Sequence, residues 1–193
     1  MMPFFLESHV DMALFFSTLA IWFAVESRQY IHRRVEATNK DRGSAIVLRL
    51  CAAVGAVLAA LGLNVRFSPF SYGPLAFGVG LGLMFAGICL RWWCFRTLGQ
   101  YFTFTVMTST SQPVVDVGPY RILRHPSYAA LLLVLIGIGL TYGNWLSLLA
   151  LTILPLAGLM NRIRVEEAAL VAAIGPAYRM YAATRKRLIP FVW

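Results

Sequence analysis

The stretch Thr141-Tyr142-Gly143-Asn144 interrupts an otherwise uncharged run from Ala129 to Met160, and its reading decides the fold. Glycine followed by asparagine favours a tight turn. The two apolar halves are therefore predicted to be antiparallel helices. Outward from the turn, each half ends in a polar cluster. One is Tyr120-Arg121-Ile122-Leu123-Arg124-His125-Pro126-Ser127-Tyr128, and the other is Arg162-Ile163-Arg164-Val165-Glu166-Glu167. A chain that folds back at Gly143 brings both clusters to the same end of a bundle.

The rest of the chain extends this pattern. Of its 193 residues, 59% are hydrophobic and 13% charged, against about 25% charged in soluble domains. Five apolar runs are read, at about Val10–Val25, Ala45–Leu63, Pro74–Phe95, Tyr128–Leu140 and Trp145–Met160. A full membrane span needs about 20 residues. Runs two and three meet that length, run one meets it with its flanks, and runs four and five need turns from their polar flanks or do not cross fully. The expectation is an all-α polytopic membrane helix bundle with about five transmembrane helices. It forms a single membrane domain over 1–193, with three helices in 1–97 and the polar clusters in 98–193. After Arg164 the tail reads as helix to Ile174, a break at Gly175-Pro176, and a short second helix that covers the site.

Charge placement sets the expected orientation. All but one of the 17 Lys and Arg flank one side of the runs, and the exception is Arg66. Positively charged loops stay cytoplasmic, so the N-terminus is expected outside and the C-terminus and both clusters in the cytoplasm. The first dozen residues hold Glu7 and Asp11 but no Lys or Arg, the reverse of a signal peptide's amino-terminal region, so run one is expected to persist as a span. The net charge of +9 follows this membrane pattern and forms no separate basic stripe, which argues against nucleic acid. Cys51, Cys89 and Cys94 lie inside apolar runs, and His9, His32 and His125 are scattered. No metal site is expected.

Pro126 suits the first position of a helix. Run four is therefore predicted to start near His125, with free N–H groups and a positive dipole end that favour an anion. The same residues also suit a membrane boundary anchored by Tyr and Arg. Arg162 and Glu166 share one helical face at i and i+4, which fits a site or a boundary ion pair. Tyr101–Thr105 either line the site or lie in the interface. Residues 107–118 read as a loop, able to drape backbone donors over a ligand or simply to connect.

At these residues the chain resembles the isoprenylcysteine carboxyl methyltransferases. The likeness covers about Leu98 to Phe191. It rests on Gly99-Gln100-Tyr101-Phe102, on Val115, Gly118 and Tyr120, on Arg124-His125-Pro126-Ser127-Tyr128, and on Arg162-x-x-x-Glu166-Glu167. It ends in Gly175-x-x-Tyr178-x-x-Tyr181 and Arg187-Leu188-Ile189-Pro190. The chain departs from the family's usual residues at Gln112, Val114 and Asp116.

The resemblance implies S-adenosylmethionine as methyl donor, with S-adenosylhomocysteine as product. It assigns cofactor binding to Gln112, Pro113, Val114, Val115, Tyr120, His125, Pro126, Ser127, Tyr128 and Glu166. It makes Arg162 the catalytic, substrate-facing residue. The implied acceptor is the terminal carboxylate of a prenylated cysteine, a lipid-linked partner reached within the membrane. Such a carboxylate is already ionised at neutral pH and needs no general base, in keeping with clusters that offer no nucleophile–base pair. The other readings are a methyltransferase for another lipid-like acceptor (a phospholipid amine or a thiol) and a non-enzymatic membrane module.

Overall fold

The computed structural model describes residues 6, 8–30, 38–39, 41–63, 73–102, 107–108, 114–190 and 193. Among the described residues six α-helices follow one another: α1 His9–Tyr30, α2 Ser44–Gly62, α3 Gly73–Leu98, α4 Pro126–Thr141, α5 Trp145–Ile174 and α6 Pro176–Thr184. Short 3₁₀ turns occupy Gly99–Tyr101 and Gly118–Arg121. A two-residue antiparallel pairing joins β1, Thr38–Asn39, to β2, Met107–Thr108. The fold is an all-helical bundle of the expected polytopic kind.

Among the described residues, α1, α2, α3 and α5 are long and apolar enough to cross a membrane, whereas α4 is a shorter apolar helix of 16 residues. At 1.5 Å per residue α4 spans roughly 24 Å, short of the ~30 Å hydrocarbon core. Run five follows the opposite course. Its helix does not stop at Met160 but runs 30 residues, through Arg162 and Glu166 to Ile174. The second polar cluster therefore rides on the same rigid rod as the apolar run.

The predicted turn is present. Gly143 adopts φ 72°, a left-handed conformation natural to glycine. Asn144 then caps α5, its Oδ1 accepting the Ser147 N–H at 2.8 Å. The Ser147 hydroxyl donates to the Ala59 carbonyl at 2.7 Å, which ties the start of α5 to the end of α2. The Phe15 ring lies 6.2 Å from the Tyr142 ring, so the first turns of α1 share this end of the bundle.

Small residues permit the tight contacts expected of membrane helices. A Cβ on Gly137 would lie 2.6 Å from the Gly80 carbonyl oxygen, and one on Gly55 would lie 2.8 Å from the Ala150 carbonyl oxygen. The first contact seals α3 against α4, and the second seals α2 against α5. The α4–α5 hairpin joins these two pairs, and α1 lies along α3. Met84, Val134 and Ala59 are fully buried in the common core.

Candidate functional site at the basic end of the bundle

The two polar clusters meet where the hairpin predicts. Tyr128, in the first turn of α4, donates its hydroxyl to Glu166 Oε2 at 2.6 Å. The Tyr128 hydroxyl oxygen in turn accepts a hydrogen bond from Arg162 Nε at 2.8 Å. His125 stacks on the Tyr128 ring at 5.5 Å and 11°. Its Nε2 lies 3.2 Å from Glu167 Oε1, and its Nδ1 lies 3.9 Å from Glu166 Oε2. Glu166 keeps 29% of its side-chain exposure, while Glu167 is drawn inward by Arg124 Nη1 at 2.6 Å and by Arg187 Nη2 at 2.9 Å. The adjacent carboxylates thus differ: Glu166 offers a partly open oxygen, and Glu167 is a structural hub.

Two partnerships escaped the sequence reading. Arg162 Nη1 donates to Asp41 Oδ1 at 2.8 Å and to Ser44 Oγ at 3.3 Å. Asp41 also accepts the Ala45 N–H through Oδ2 at 3.0 Å, so one carboxylate caps α2 and clasps α5. Arg91 of α3 is 5% exposed. It pairs with Glu26 of α1 and donates through Nη1 to the Ser127 carbonyl at 2.7 Å and hydroxyl at 3.1 Å. Asp41 carries a local signal, because Asp-Arg-Gly-Ser ahead of an apolar run is a helix-start signature. Arg91 is an arginine inside an apolar run, itself a pointer to function or to a partner.

Beside Tyr128 and Arg162 opens a cavity of about 240 Å³. Its wall continues over apolar residues of α4 and α5 as far as Leu135 and Pro155. Tyr128 and Arg162 line this chamber, while His125 and the partly exposed Glu166, bonded to Tyr128, are not in its lining.

The tail closes over the start of α4. The N–H groups of Arg124 and His125 donate to the carbonyls of Lys186 and Arg187 at 2.8 and 3.0 Å. The tail thus takes backbone donors that the sequence left for an anion. Tyr181 donates its hydroxyl to the Tyr120 carbonyl at 2.8 Å, and Arg185 Nη2 meets Asp116 Oδ2 at 2.5 Å. Burial raises the Tyr120 and Tyr181 phenols above the ordinary value, with Arg185 opposing the shift at Tyr181. Tyr178 is raised by burial and by the nearby Glu167 and Glu166 charges.

Of the expected site residues, Tyr128, Arg162, Glu166 and His125 come together directly. Tyr120 is buried and joins them through the tail. Pro126 and Ser127 are buried, Ser127 against Arg91. Val114 and Val115 are half-buried, on the segment that Asp116 fastens to the tail. Gln112 and Pro113 lie outside the described residues, as do Thr103–Thr105.

Residues 80–172 match the model of the isoprenylcysteine carboxyl methyltransferase (ICMT) family. This segment belongs to that family. The protein-S-isoprenylcysteine O-methyltransferase of Schizosaccharomyces pombe is 30% identical over 114 residues, 58% of this chain and 48% of that protein. Protein-S-isoprenylcysteine O-methyltransferase B of Arabidopsis thaliana is 30% identical over 115 residues, 58% of each. An uncharacterized Bacillus subtilis protein, YpbQ, is 28% identical over 98 residues, 50% of this chain and 58% of that protein. The chain spans about half the length of the curated relatives it matches. Within the isoprenylcysteine carboxyl methyltransferase segment lie Arg91, Tyr120, His125–Tyr128, Arg162, Glu166 and Glu167. Asp41 and the tail residues Arg185–Arg187 lie outside it.

Proposed function

We propose that the protein transfers a methyl group from S-adenosylmethionine to the C-terminal carboxylate of a prenylated cysteine or a close analogue. The observation that carries this reading is the Glu166–Tyr128–Arg162 chain of hydrogen bonds, which runs from a partly exposed carboxylate, assigned here to a polar recess for the donor, to a largely apolar chamber. The residues of the recess fit the donor. Glu166 spends one oxygen on Tyr128 and stays partly exposed, as suits an acceptor for ribose hydroxyls or an ammonium group. In this reading the flat face of His125 and Tyr128 is assigned to the donor together with Val114 and Val115, and with Gln112 and Pro113 before them in the sequence.

S-Adenosylmethionine supplies a methyl group on a sulfonium, the carbon–sulfur bond breaking as the carboxylate oxygen bonds the carbon, and S-adenosylhomocysteine is left. The chain's part is orientation. Arg162, fixed by Asp41 and Tyr128, presents its cation from a single direction. A rigidly held guanidinium positions a carboxylate without rotating with it, and alignment is the larger share of what such a site contributes. No side chain needs to remove a proton. Three arginines on the chamber wall, Arg49, Arg91 and Arg162, favour an acid head over a phospholipid amine. The bundle's basic end faces the cytoplasm in this reading, as the charge asymmetry requires.

The test is an S-adenosylhomocysteine binding isotherm on the detergent-solubilised chain, with radiolabelled methyl incorporation into prenylcysteine analogues. Binding is expected for the wild type and lost by at least about tenfold in Glu166→Ala, the loss of one charge-assisted hydrogen bond. A folded wild type that binds no S-adenosylhomocysteine would instead be a membrane module without this chemistry.

A further inference from the structure

The chamber beside Tyr128 carries one cation to which the methyl-transfer geometry gives no individual role. Among the described residues its wall carries Arg49, Arg91 and Arg162 against one carboxylate, Glu26. Two of these cations are neutralised locally. Arg91 is paired with Glu26, and Arg162 with Asp41. Arg49 of α2 has no acidic partner among the described residues, and it is exposed. A side chain that both lines a cavity and stays exposed stands at its mouth.

A second donor belongs to a lining residue and lacks a partner. The Trp22 indole Nε1 is buried and finds no acceptor, and Trp22 lines the chamber from α1. A buried N–H left unsatisfied costs about 1–3 kcal/mol, so such groups mark places where an acceptor belongs. α1 packs along α3, and Trp22 and Arg49 reach the chamber from two different helices, α1 and α2. On α2 the wall runs from Ala45 to Ala52, on α4 from Tyr128 to Leu135, and on α5 from Arg162 to Pro155. Each stretch covers roughly 10 Å at 1.5 Å per residue. Arg49 is therefore placed along the chamber's length, within reach of a small acid head that also touches Arg162.

We infer that Arg49, together with the Trp22 indole N–H, recognises the anionic head of a lipid-like methyl acceptor at the mouth of this chamber. The inference rests on the methyl-transfer reading for the identity of the occupant. Among the described residues Arg49 is the wall cation without a carboxylate partner, Trp22 supplies an unsatisfied donor, and the apolar wall takes the adjoining chain. An acid-headed lipid satisfies all three, and an amine-headed one meets repulsion from Arg49. Both residues lie outside the family-matched segment, so this selectivity belongs to the part of the chain its relatives' common core does not supply.

The test is equilibrium binding of tritiated N-acetyl-S-farnesylcysteine to the full chain in phosphatidylcholine nanodiscs, with its uncharged carboxamide as control. Arg49→Gln is expected to weaken binding of the acid about tenfold, the loss of one charge-assisted hydrogen bond, and to leave the carboxamide unchanged. Arg49→Lys retains most of the affinity for the acid, and Trp22→Phe gives a smaller loss. Equal affinity of wild type and Arg49→Gln for the acid overturns the inference, as does a wild type that binds no acid. Displacement of the acid by phosphatidylglycerol added to the discs also overturns it, because the site would then hold the bilayer's own anionic lipid. S-Adenosylhomocysteine isotherms on the same samples keep the two claims apart. Donor binding without an Arg49 effect sinks this inference alone, and an Arg49 effect without donor binding sinks the methyl-transfer reading alone.

Discussion

At the scale of single residues, the Asp41–Arg162 pair decides most. Its side chains are 9% and 4% exposed, so the charges are largely out of water and each depends on the other. Removing one partner of such a pair costs about 3–5 kcal/mol, because the survivor is left buried and uncompensated. Asp41→Asn and Arg162→Gln are each expected to destabilise the protein by about 3 kcal/mol. Chemical denaturation in detergent measures this, and the double variant should lose clearly less than the sum of the singles. A loss of methyl transfer in Arg162→Ala therefore mixes a catalytic and a structural effect, and Arg162→Lys separates them. The sequence announced Arg162 and Glu166 through their helical spacing. It was silent on Asp41 as the partner of Arg162, since an ion pair between residues 121 positions apart leaves no periodic trace.

At the scale of elements, the hairpin was legible and its lengths were not. Gly143 and Asn144 act locally, through backbone freedom and a side-chain cap, so the turn could be read from adjacent letters. The helical end at Ile174 was legible in the tail and α5 stops there, but hydropathy left open that this helix is continuous with run five, because Arg162 and Glu166 end the apolar run without ending the helix. The tail shows the same contrast. Its break at Gly175-Pro176 was visible, but its backbone hydrogen bonds to Arg124 and His125 were not. Arg187 fastens the tail to Glu167 through Nε and Nη2 at 3.0 and 2.9 Å. Arg187→Ala is expected to weaken S-adenosylhomocysteine binding severalfold while leaving helix content unchanged, as read by an isotherm and far-ultraviolet circular dichroism. The loss reflects a loosened cover, since Arg187 is joined to the recess through Glu167.

At the scale of the whole molecule, the basic end and the turn end are chemically distinct, and two measurements exploit this. Cysteines placed at Met180 and Trp145, both exposed, in a background without the native cysteines should label on opposite sides. An impermeant maleimide added to intact cells is expected to reach Trp145→Cys and to miss Met180→Cys, as the charge asymmetry requires. Alkaline pH provides the second. Tyr120, Tyr178 and Tyr181 all have phenols raised above the ordinary value of 10. The folded state holds these protons more tightly than the unfolded one, so their contribution is intact below pH 10 and falls as pH rises beyond it. Denaturation midpoints should be flat from neutral pH towards pH 10 and then decline. Tyr181→Phe lessens that decline while losing the hydrogen bond to the Tyr120 carbonyl.

The contact between Lys186, Arg187 and the start of α4 joins segments far apart along the chain. The polar cluster draws on Asp41, on residues 120–128, on residues 162–167 and on residues 185–187. During synthesis the α4–α5 hairpin can therefore pack before its cover has been made, with the Arg124 and His125 N–H groups still lacking their acceptors. Proteolytic cleavage between α6 and Lys186 is expected to leave inserted helices whose polar end stands uncovered.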